Sequence, residues 1–569
     1  MGTFTAEQPG AFWSLRNAGA ALLDFATASH RRAVTFLVLV SLVSFIPGFF
    51  NIPPIDRDET RFAQATKQMI ESGDYVDIRF QDEVRYKKPV GIYWMQAAFV
   101  RAGEALGIPQ ARTTIWLYRM PSLLAAIGAV LLTYWTGLAL GSRRAAYLAG
   151  VMLACSILLG IEARLAKTDA MLLLTTLAAM GALARVYLRK PDDAVGWRMP
   201  ALFWTAIAAG VLIKGPLIIM VIGLAVVTLA VTDRSARWLL ALRPAFGVLW
   251  LAALVLPWFV AIIGRSGETF FVESVGQDLL SKVFSGQEAH GAPPLFYLLL
   301  FWLTFWPGAP LAAMAAPDVW ANRRVPEIRF LLAWLVPSWI VFELVITKLP
   351  HYVLPLYPAI AILTAWTIEH GTLSKVRWVV RSTVQWPVFA AIPAIAAIAG
   401  LIILRHQLGL VAWLLAGLSV IFGFFAWRLY ESDGAARSLA RAAVSAQLMS
   451  VTVFGIVLPL LLPLFPSAML ERMLNTDCEN PSFAAVGYHE PSLVFLLGTS
   501  VHLIDASRAA DFLKGGSCRF AFVEARQERA FAKRAEAIGL LYGQGPRFEA
   551  INYNGGRWIT IAVYRSEAR

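Results

Sequence analysis

About thirteen long apolar runs constrain this chain more than any other feature of its sequence. They lie at 33–50, 117–139, 145–161, 170–188, 199–213, 215–232, 241–263, 293–313, 328–346, 352–369, 386–404, 411–429 and 443–465. Because 58% of the residues are hydrophobic and only 15% are charged, a soluble fold could not bury so much apolar surface. The sequence therefore predicts a mainly α-helical, polytopic membrane protein with about 13 transmembrane helices.

The positions of Lys and Arg predict the orientation of these helices. With the N-terminus in the cytoplasm, every loop on the cytoplasmic side is basic, and the six loops carry Arg143 and Arg144; Arg189, Lys190 and Arg198; Arg234, Arg237 and Arg243; Arg323, Arg324 and Arg329; Lys375, Arg377 and Arg381; and Arg428, Arg437 and Arg441. This pattern obeys the positive-inside rule and accounts for most of the net charge of +13. No nucleic-acid partner is expected.

The long first outer loop, residues 51–116, contains one more apolar segment. A proline begins the segment 89–106, and Arg101 and Glu104 interrupt it. We therefore interpret it as an interfacial helix that lies on the membrane surface. Counting it as a span would invert every later loop, which the basic residues do not allow.

The residues after the last apolar run have a different character. The sequence divides into a membrane domain, residues 1–465, and an outer tail, residues 466–569, predicted to be a small α/β domain. Strand-like runs (SLVFLLG, RFAFVEA) alternate with helical ones (ASRAADFLKG, QERAFAKRAEAIG), and a hairpin with Asn554-Gly555-Gly556 at its turn follows. Cys478 and Cys518 both lie in this tail, where an oxidising compartment would allow a disulfide.

Carboxylates stand out in two outer loops. Asp58 and Glu59 lie in the stretch Asp56-Arg57-Asp58-Glu59-Thr60-Arg61, directly after the first span, and Asp169 begins the fourth span. One interpretation is helix capping, since an acid is favourable at a helix N-terminus. A cap needs only one acid, however, and the first stretch holds three acids and two arginines. Both sites are therefore candidates for catalytic carboxylates.

Lysines gather at the same predicted surface. Lys88 lies in RYKKPVGIYW, Lys214 in LIKGPL and Lys348 in TKLPHYVLPLYP. A single lysine at a helix end often only extends its ammonium to the membrane surface. An ammonium held there beside a helix-breaking Gly-Pro pair is also a natural phosphate partner.

Two histidines and one acid complete the candidates. His290 and His351 lie nearest these loops, but no local spacing supplies the convergent ligands that a metal requires. Hydrogen bonding to a phosphate or to a neighbouring loop explains them equally well. Glu343 lies within the ninth span, where an acid is a functional candidate by default. The sequence contains no P-loop, dinucleotide-binding glycine pattern or Ser-His constellation, so a nucleotide-driven cytoplasmic reaction is not expected.

Four stretches together resemble the GT-C glycosyltransferases, which include protein O-mannosyltransferases. These stretches are RDETRFAQATKQMIESGDYV, RYKKPVGIYW, LAKTDAML with LIKGP, and TKLPHYVLPLYPAIAIL. Within that group the chain is similar to the bacterial 4-amino-4-deoxy-L-arabinose lipid A transferases, and GYHEPSLVF in the tail adds to the likeness. The resemblance implies the GT-C fold, a location in the bacterial inner membrane with a periplasmic tail, and the lipid A modification associated with polymyxin resistance.

The resemblance also implies substrates and residue roles. The donor would be undecaprenyl phosphate carrying the aminosugar, and the acceptor lipid A, among the surrounding membrane lipids. Asp58, Asp169 and Glu59 would be catalytic. The candidates for the donor phosphate site are Lys88, Lys214, Lys348, Arg61 and Tyr352, and further candidates are Tyr86, Arg164, His290 and His351. No cofactor is required, and a divalent metal is not excluded.

Two alternatives stay open. The first is a GT-C transferase that moves another lipid-linked sugar to protein or to another glycolipid. The second is a flippase for lipid-linked sugars, for which inverted repeats or a pair of broken helices would be the expected sign. The sequence shows neither sign.

Overall fold

The computed structural model describes residues 21–189, 196–274, 292–474, 478 and 480–567. The described residues from 30 to 465 form a helical bundle, preceded by a short helix, Ala21–Thr27. Its longer helices are α1 (His30–Phe45), α2 (Asp58–Ser72), α3 (Gly91–Ala105), α4 (Ile115–Leu140), α5 (Arg143–Ala154), α6 (Ile157–Glu162), α7 (Asp169–Tyr187), α8 (Arg198–Lys214), α9 (Leu217–Thr232), α10 (Pro244–Ser266), α11 (Phe296–Thr304), α12 (Ala309–Ala321), α13 (Pro326–Leu344), α14 (Tyr357–His370), α15 (Gln385–Arg405), α16 (Leu410–Arg428) and α17 (Ala435–Ser450). The mainly helical fold predicted from the sequence is confirmed.

Every predicted span overlaps a helix, but fewer helices are long enough to cross a membrane. Among the described residues, seven are long and apolar enough, or up to nine if each of two bent pairs is counted as one span. The difference has local causes. The predicted span 145–161 is broken between α5 and α6, and 293–313 is broken between α11 and α12, at the Trp306-Pro307 bond. Proline cannot continue the hydrogen-bond pattern of a helix.

The first loop is largely helical. Helix α2 begins directly after the Asp56-Arg57 pair, a short hairpin of β1 (Arg79–Phe80) and β2 (Glu83–Val84) follows, and α3 corresponds to the predicted interfacial helix. Helix α3 packs so closely against α8 that only glycine fits at position 91. A Cβ there would stand 2.8 Å from the carbonyl oxygen of Leu212. This contact brings the Lys87-Lys88 turn next to the end of α8.

The tail has its own sheet and its own apolar cores. The strands are β3 (Ser482–Val486), β4 (His502–Leu503), β5 (Arg519–Glu524), β6 (Tyr542–Asn552) and β7 (Arg557–Ser566), and the helices are α18 (Pro466–Met473), α19 (Pro491–Leu497), α20 (Ala506–Lys514) and α21 (Glu528–Ala537). The sheet order is β4-β3-β5-β7-β6, with β3 parallel to β4 and β5 and the other pairs antiparallel. The α/β tail and its closing β6–β7 hairpin are confirmed, and Cys478 and Cys518 form a disulfide.

One tail prediction was wrong. The run SLVFLLG was expected to be a strand, but it forms helix α19. Pro491 occupies the first helical position, where its fixed φ favours helix and its missing N–H costs nothing. Short apolar runs do not distinguish a buried strand from a buried helix, and β3, just before this run, takes the place in the sheet between β4 and β5.

Candidate active site

Buried charged side chains meet where several helices end at one side of the bundle. Glu162 ends α6, Lys167 lies in the turn that follows, Asp169 begins α7, Lys214 ends α8, and His351 lies in the 3₁₀ turn Pro350–Leu356 before α14. These five residues are called the acid–lysine cluster below. Each of the five residues lies at a helix end or in the adjoining turn, where the backbone leaves the apolar part of the bundle. Helix packing brings these ends together.

The two lysines balance the two carboxylates of the cluster. The Lys214 ammonium donates a hydrogen bond to Asp169 Oδ1. Lys167 Nζ lies 3.3 Å from Glu162 Oε1 and 3.8 Å from Asp169 Oδ2. Both carboxylate side chains are only 3% exposed. Buried charges of this kind are tolerated only when they are paired, so the cluster is close to neutral as a whole.

The charge of Lys167 is stabilised by its neighbours. Burial alone would lower the pKa of this ammonium, but the carboxylates of Glu162, Asp169 and Asp58 outweigh burial and raise it. Lys167 therefore stays protonated at neutral pH. The carboxylate of Asp58 contributes to the raised pKa of Lys167, so Asp58, on a different segment of the chain, lies close enough to interact electrostatically with the cluster.

His351 lies between the two carboxylates. Its Nδ1 is 3.7 Å from Glu162 Oε1, and its Nε2 is 3.7 Å from Asp169 Oδ1. One potential ligand atom from each of these three residues lies within 4.8 Å of the others, a spacing compatible with a metal ion. However, a divalent cation would have to displace Lys214 from Asp169 and approach two fixed ammonium groups. The residues present therefore fit a lysine-balanced cluster better than a metal site.

Asp58 and Arg61 lie at the exposed rim of the cluster. Asp58 is exposed in the first turn of α2, and Arg61 is half-buried three residues later, which places the two side chains on neighbouring positions of one helix face. Within the part of the chain that the structure describes, neither side chain has a hydrogen bond or an ion pair. Both are thus available to a ligand that approaches from this side.

Glu59 has a different role from the one predicted. It is 1% exposed, and its carboxylate binds the fully buried Arg119 through two hydrogen bonds of 2.8 Å each. The same carboxylate accepts the backbone N–H groups of Ala166 and Ile55 at 2.9 Å. All its accepting positions are occupied by protein groups, so the catalytic prediction is corrected: Glu59 holds the first loop to α4 and to the turn before α7.

The predicted phosphate ligands separate into two groups. Lys88 is half-buried near the cluster, its Nζ donates to the carbonyl of Lys87 at 2.9 Å, and its charge acts on His351. The Lys214 ammonium lies 5.5 Å from the ring centroid of Tyr352, which places Tyr352 at the cluster. Lys348 differs, because its buried ammonium donates to two backbone carbonyls, those of Ala292 and Val345. Its predicted phosphate role is corrected to a structural one.

The further candidates are mostly structural. Tyr86 is buried, and its hydroxyl donates to Asp77 at 2.7 Å. Arg164 is also buried, and it donates to acceptors in four other residues: Pro47, Gly160, Ser44 and Ser450. Arg164 therefore joins α1 to α17 and has no free donor face for a phosphate. His290 lies outside the described residues.

Glu343, the acid inside a predicted span, caps a helix. Its Oε1 accepts the backbone N–H groups of Tyr297 and Leu298, at 3.1 and 3.2 Å. These donors belong to the first turn of α11, where backbone N–H groups have no partner within the helix. The position of Glu343 is explained by this cap.

Three residues of the site region did not appear among the predicted site residues. Glu162 and Lys167 lie in IEARLAKTDA, where the sequence analysis selected Arg164 and Asp169 instead. Arg119 had a clear signal, since it is a charged residue in the apolar run 117–139, and an ionisable group in a span demands a partner.

The fold is that of known membrane enzymes. The structure superimposes on the crystal structure of ArnT from Cupriavidus metallidurans in the apo state with a TM-score of 0.70 and 19% sequence identity, covering 93% of this chain and 97% of that one. Against the same enzyme bound to undecaprenyl phosphate the TM-score is 0.69 at 18% identity, covering 94% and 98%. The chain therefore has the GT-C fold and is a multi-pass membrane protein.

Sequence comparisons point to the same group. Residues 35–266 match the family model of dolichyl-phosphate-mannose-protein mannosyltransferases. The undecaprenyl phosphate-α-4-amino-4-deoxy-L-arabinose arabinosyl transferase of Aeromonas hydrophila is 28% identical over 56% of this chain and 57% of its own length. That of Yersinia pestis is 28% identical over 62% of this chain and 59% of its own length. The match thus spans less than two thirds of these relatives, and the resemblance to the GT-C glycosyltransferases predicted from the sequence is confirmed.

Proposed function

We propose that this protein transfers 4-amino-4-deoxy-L-arabinose from undecaprenyl phosphate to a phosphate of lipid A. The observation that carries the proposal is the acid–lysine cluster, buried at helix ends of a membrane bundle. At its rim lie Asp58 and Arg61, whose side chains have no hydrogen bond or ion pair within the described residues. The names of the curated relatives support this donor, and a structural neighbour was crystallised with undecaprenyl phosphate. The acceptor follows from the resemblance alone.

Cations at the rim would hold the donor phosphate. Lys88 and Arg61 lie beside the cluster without being buried in it, so a phosphate can reach them from the membrane surface. Charge-assisted hydrogen bonds to phosphate are among the strongest that side chains make. When the bond between the anomeric carbon and the donor phosphate oxygen breaks, its electron pair leaves with undecaprenyl phosphate, and these cations stabilise the developing charge.

The acceptor needs little activation. A phosphate monoester loses its second proton with a pKa near 6, so the attacking oxygen of lipid A is already anionic and requires no strong general base. Asp58 would pair with the ammonium of the aminosugar and orient the donor. The buried ion pair of Asp169 and Lys214 would line the donor site at a fixed position. One displacement forms the new bond between oxygen and the anomeric carbon, and it inverts the anomeric configuration.

We also propose an orientation in the membrane and a reaction that needs no metal ion. The basic loops support an N-terminus in the cytoplasm and a tail in the periplasm, and the Cys478–Cys518 disulfide is consistent with an oxidising compartment. Lys167 and Lys214 already neutralise the carboxylates that would otherwise bind a cation. We therefore expect transfer without a divalent metal ion.

Mass spectrometry of lipid A tests the reaction directly. The chain is expressed in a bacterium that lacks its own aminoarabinose transferase but makes the lipid-linked donor. We expect a new lipid A species that is heavier by one aminopentose, and the same product from purified protein in the presence of EDTA. Loss of the product with EDTA, restored by Mg²⁺ or Mn²⁺, would contradict the metal-free proposal.

Other results would select the alternatives. Unmodified lipid A together with consumption of the donor indicates a different acceptor, and the labelled product then identifies it. Movement of the donor across the membrane with no consumption indicates a flippase. Both outcomes would overturn the proposed acceptor, and the second would overturn the enzyme assignment as well.

Replacement of Lys88 should weaken donor binding. We expect Lys88→Ala to raise the donor KM about ten- to a hundredfold, since a charge-assisted hydrogen bond contributes about 1.5–3 kcal/mol and 1.4 kcal/mol is a factor of ten. The kcat should change much less, because the remaining cations still face the leaving group. Steady-state kinetics over a range of donor concentrations measures both constants. Lys87→Ala, at the exposed neighbouring lysine, is the matched control, and equal effects of the two variants would remove Lys88 from the donor site.

A further inference from the structure

The tail holds the segment that carries Asp58, and Asp56 makes most of its hydrogen bonds to the tail. Ser492 at the start of α19 and Tyr553 in the turn between β6 and β7 both bind Asp56. These three residues are called the Asp56 clamp. We infer that the clamp makes the tail a positioning element for the active site, fixing residues 55–58 so that the Asp58 carboxylate faces the substrate.

The clamp engages all the polar groups of Asp56. The backbone N–H and the hydroxyl of Ser492 donate to Asp56 Oδ1 and Oδ2, each at 2.8 Å. The Tyr553 hydroxyl accepts the backbone N–H of Asp56 at 2.7 Å and donates to its carbonyl at 3.0 Å. These partners are 436 and 497 positions away along the chain. Because the main chain and the side chain of Asp56 are both bound, the tail fixes the backbone conformation at this residue as well as the position of its side chain.

The tail side of the clamp is itself well supported. Asn552 and Asn554, on either side of Tyr553, donate to the two oxygens of Glu490 at 3.2 and 3.0 Å. Ser492 is hydrogen-bonded to Ser467 at 2.6 Å between the two hydroxyl oxygens. The hairpin turn and the start of α19 are therefore tied to each other and to α18, which lets them act as one surface against Asp56.

The bundle fixes the same segment from the opposite side. Glu59, bound to Arg119, accepts the N–H of Ile55 at 2.9 Å. Asp56 is thus held by the tail, while Ile55 before it and Glu59 after it are held by the bundle. Asp58 lies between these anchors without a side-chain hydrogen bond or ion pair among the described residues, so its position depends on the backbone that the anchors fix. This consequence rests on the proposed function, in which Asp58 contacts the donor.

The clamp should respond to pH. Burial and the nearby Glu490 raise the pKa of Asp56 to about 7, and they outweigh the hydrogen bonds from Ser492 and Thr60, which favour the carboxylate. The other charged or titratable groups that face it are Arg57, Glu59, Tyr488 and Tyr553. A raised pKa means that the docked state favours the protonated acid. This contribution to docking is complete below the ordinary aspartate pKa of about 3.9 and is lost as the pH rises through about 7.

Hydrogen–deuterium exchange of the full-length protein tests the clamp without any need for activity. We expect Tyr553→Phe to speed exchange in the peptide covering residues 52–60 by about tenfold, because it removes two hydrogen bonds to Asp56. Ser492→Ala should speed it less, because it removes one and keeps the backbone N–H that donates to Asp56. Strands β5 and β7 should exchange as in the wild type. The controls are Tyr542→Phe and Ser500→Ala, two tail residues whose hydroxyls make no hydrogen bond within the described residues. Unchanged exchange at 52–60 in both clamp variants would overturn the inference.

Transfer kinetics test the positioning role. The clamp variants should lower kcat about tenfold and leave the donor KM nearly unchanged, since Lys88 and Arg61 are untouched. Faster exchange at 52–60 with an unchanged kcat would overturn the positioning role. A wild-type protein without transfer activity would instead refute the proposed function, while the exchange measurement would still decide whether the tail fixes this segment.

Asp56→Asn separates the hydrogen bonds from the charge. The amide keeps the shape of the side chain and an oxygen that accepts from Ser492, but it cannot titrate. After correction for the intrinsic pH dependence of exchange, the wild type should protect residues 52–60 better at pH 6 than at pH 8. Asp56→Asn should show equal protection at the two values. A wild-type protein with equal protection at both would overturn the pH response.

Discussion

Asp58→Asn should lower kcat for sugar transfer by about 1,000-fold, the upper end of what removal of one electrostatic group at a reaction centre costs. Asp58 is the exposed acid at the rim of the cluster, and it has no side-chain partner of its own in the described part of the chain. The asparagine has the same shape but cannot balance the ammonium of the donor sugar. Because no internal ion pair is lost, the thermal unfolding temperature should stay within about 1–2 °C of the wild type. Turnover of purified protein with lipid-linked donor measures the first effect, and a thermal melt measures the second.

The matched control is Asp82→Asn, an exposed acid of the same loop that lies near the β1–β2 turn. It should retain wild-type turnover. If Asp58→Asn keeps more than about a tenth of the activity, Asp58 does not contact the reacting groups, and Asp169 becomes the leading acid. A large loss in both variants would show only that the loop tolerates no change in charge.

The sequence predicted where charged groups accumulate better than it predicted what each one does. Asp58, Asp169, Lys88 and Lys214 were identified from helix ends and membrane topology, and the structure brings them into one region. The pairing of Lys214 with Asp169 could not be predicted, because 45 residues separate them and helix packing alone brings them together. The same limit explains why Glu162 was missed at the end of an apolar run.

Cations at helix ends were the hardest residues to interpret. Lys348 and Arg164 share the local pattern that made Lys214 a candidate, yet their donors bind mainly backbone carbonyls. A helix end exposes unpaired carbonyl groups that attract cations as phosphates do. Only the tertiary arrangement shows whether a carbonyl or a carboxylate is within reach of a given side chain.

In the tail, too, features encoded by adjacent residues were predicted, and features that depend on residues far apart in the chain were not. The β6–β7 hairpin was predicted because Asn-Gly-Gly encodes a turn locally. The run SLVFLLG contains no such signal and became a helix. The contact of Ser492, within that helix, with Asp56 joins positions 436 residues apart. No single-sequence pattern indicates such a contact.

Arg119→Met should be the most destabilising single change considered, costing about 3–5 kcal/mol of unfolding free energy. Arg119 is fully buried and donates to both oxygens of Glu59 and to the backbone carbonyls of Phe49, Ile52 and Pro53. Methionine fills a similar volume but leaves a buried carboxylate without a counter-ion. Glu59→Gln should cost less, because the amide oxygen can still accept an N–H from the first loop or from the turn before α7. Denaturant unfolding in mixed micelles measures both free energies.

Arg101→Met provides the comparison, because its ion pair with Glu104 is half exposed and exposed pairs contribute about 0–1 kcal/mol. If Arg119→Met is no more destabilising than Arg101→Met, the buried pair does not hold the first loop to α4. The two variants should also differ in activity. Loss of the Glu59 anchor frees the segment that carries Asp58, so Arg119→Met protein that is still folded at low temperature should transfer sugar slowly with a normal donor KM. A normal kcat in that folded protein would mean that the Asp56 clamp alone is enough to position Asp58.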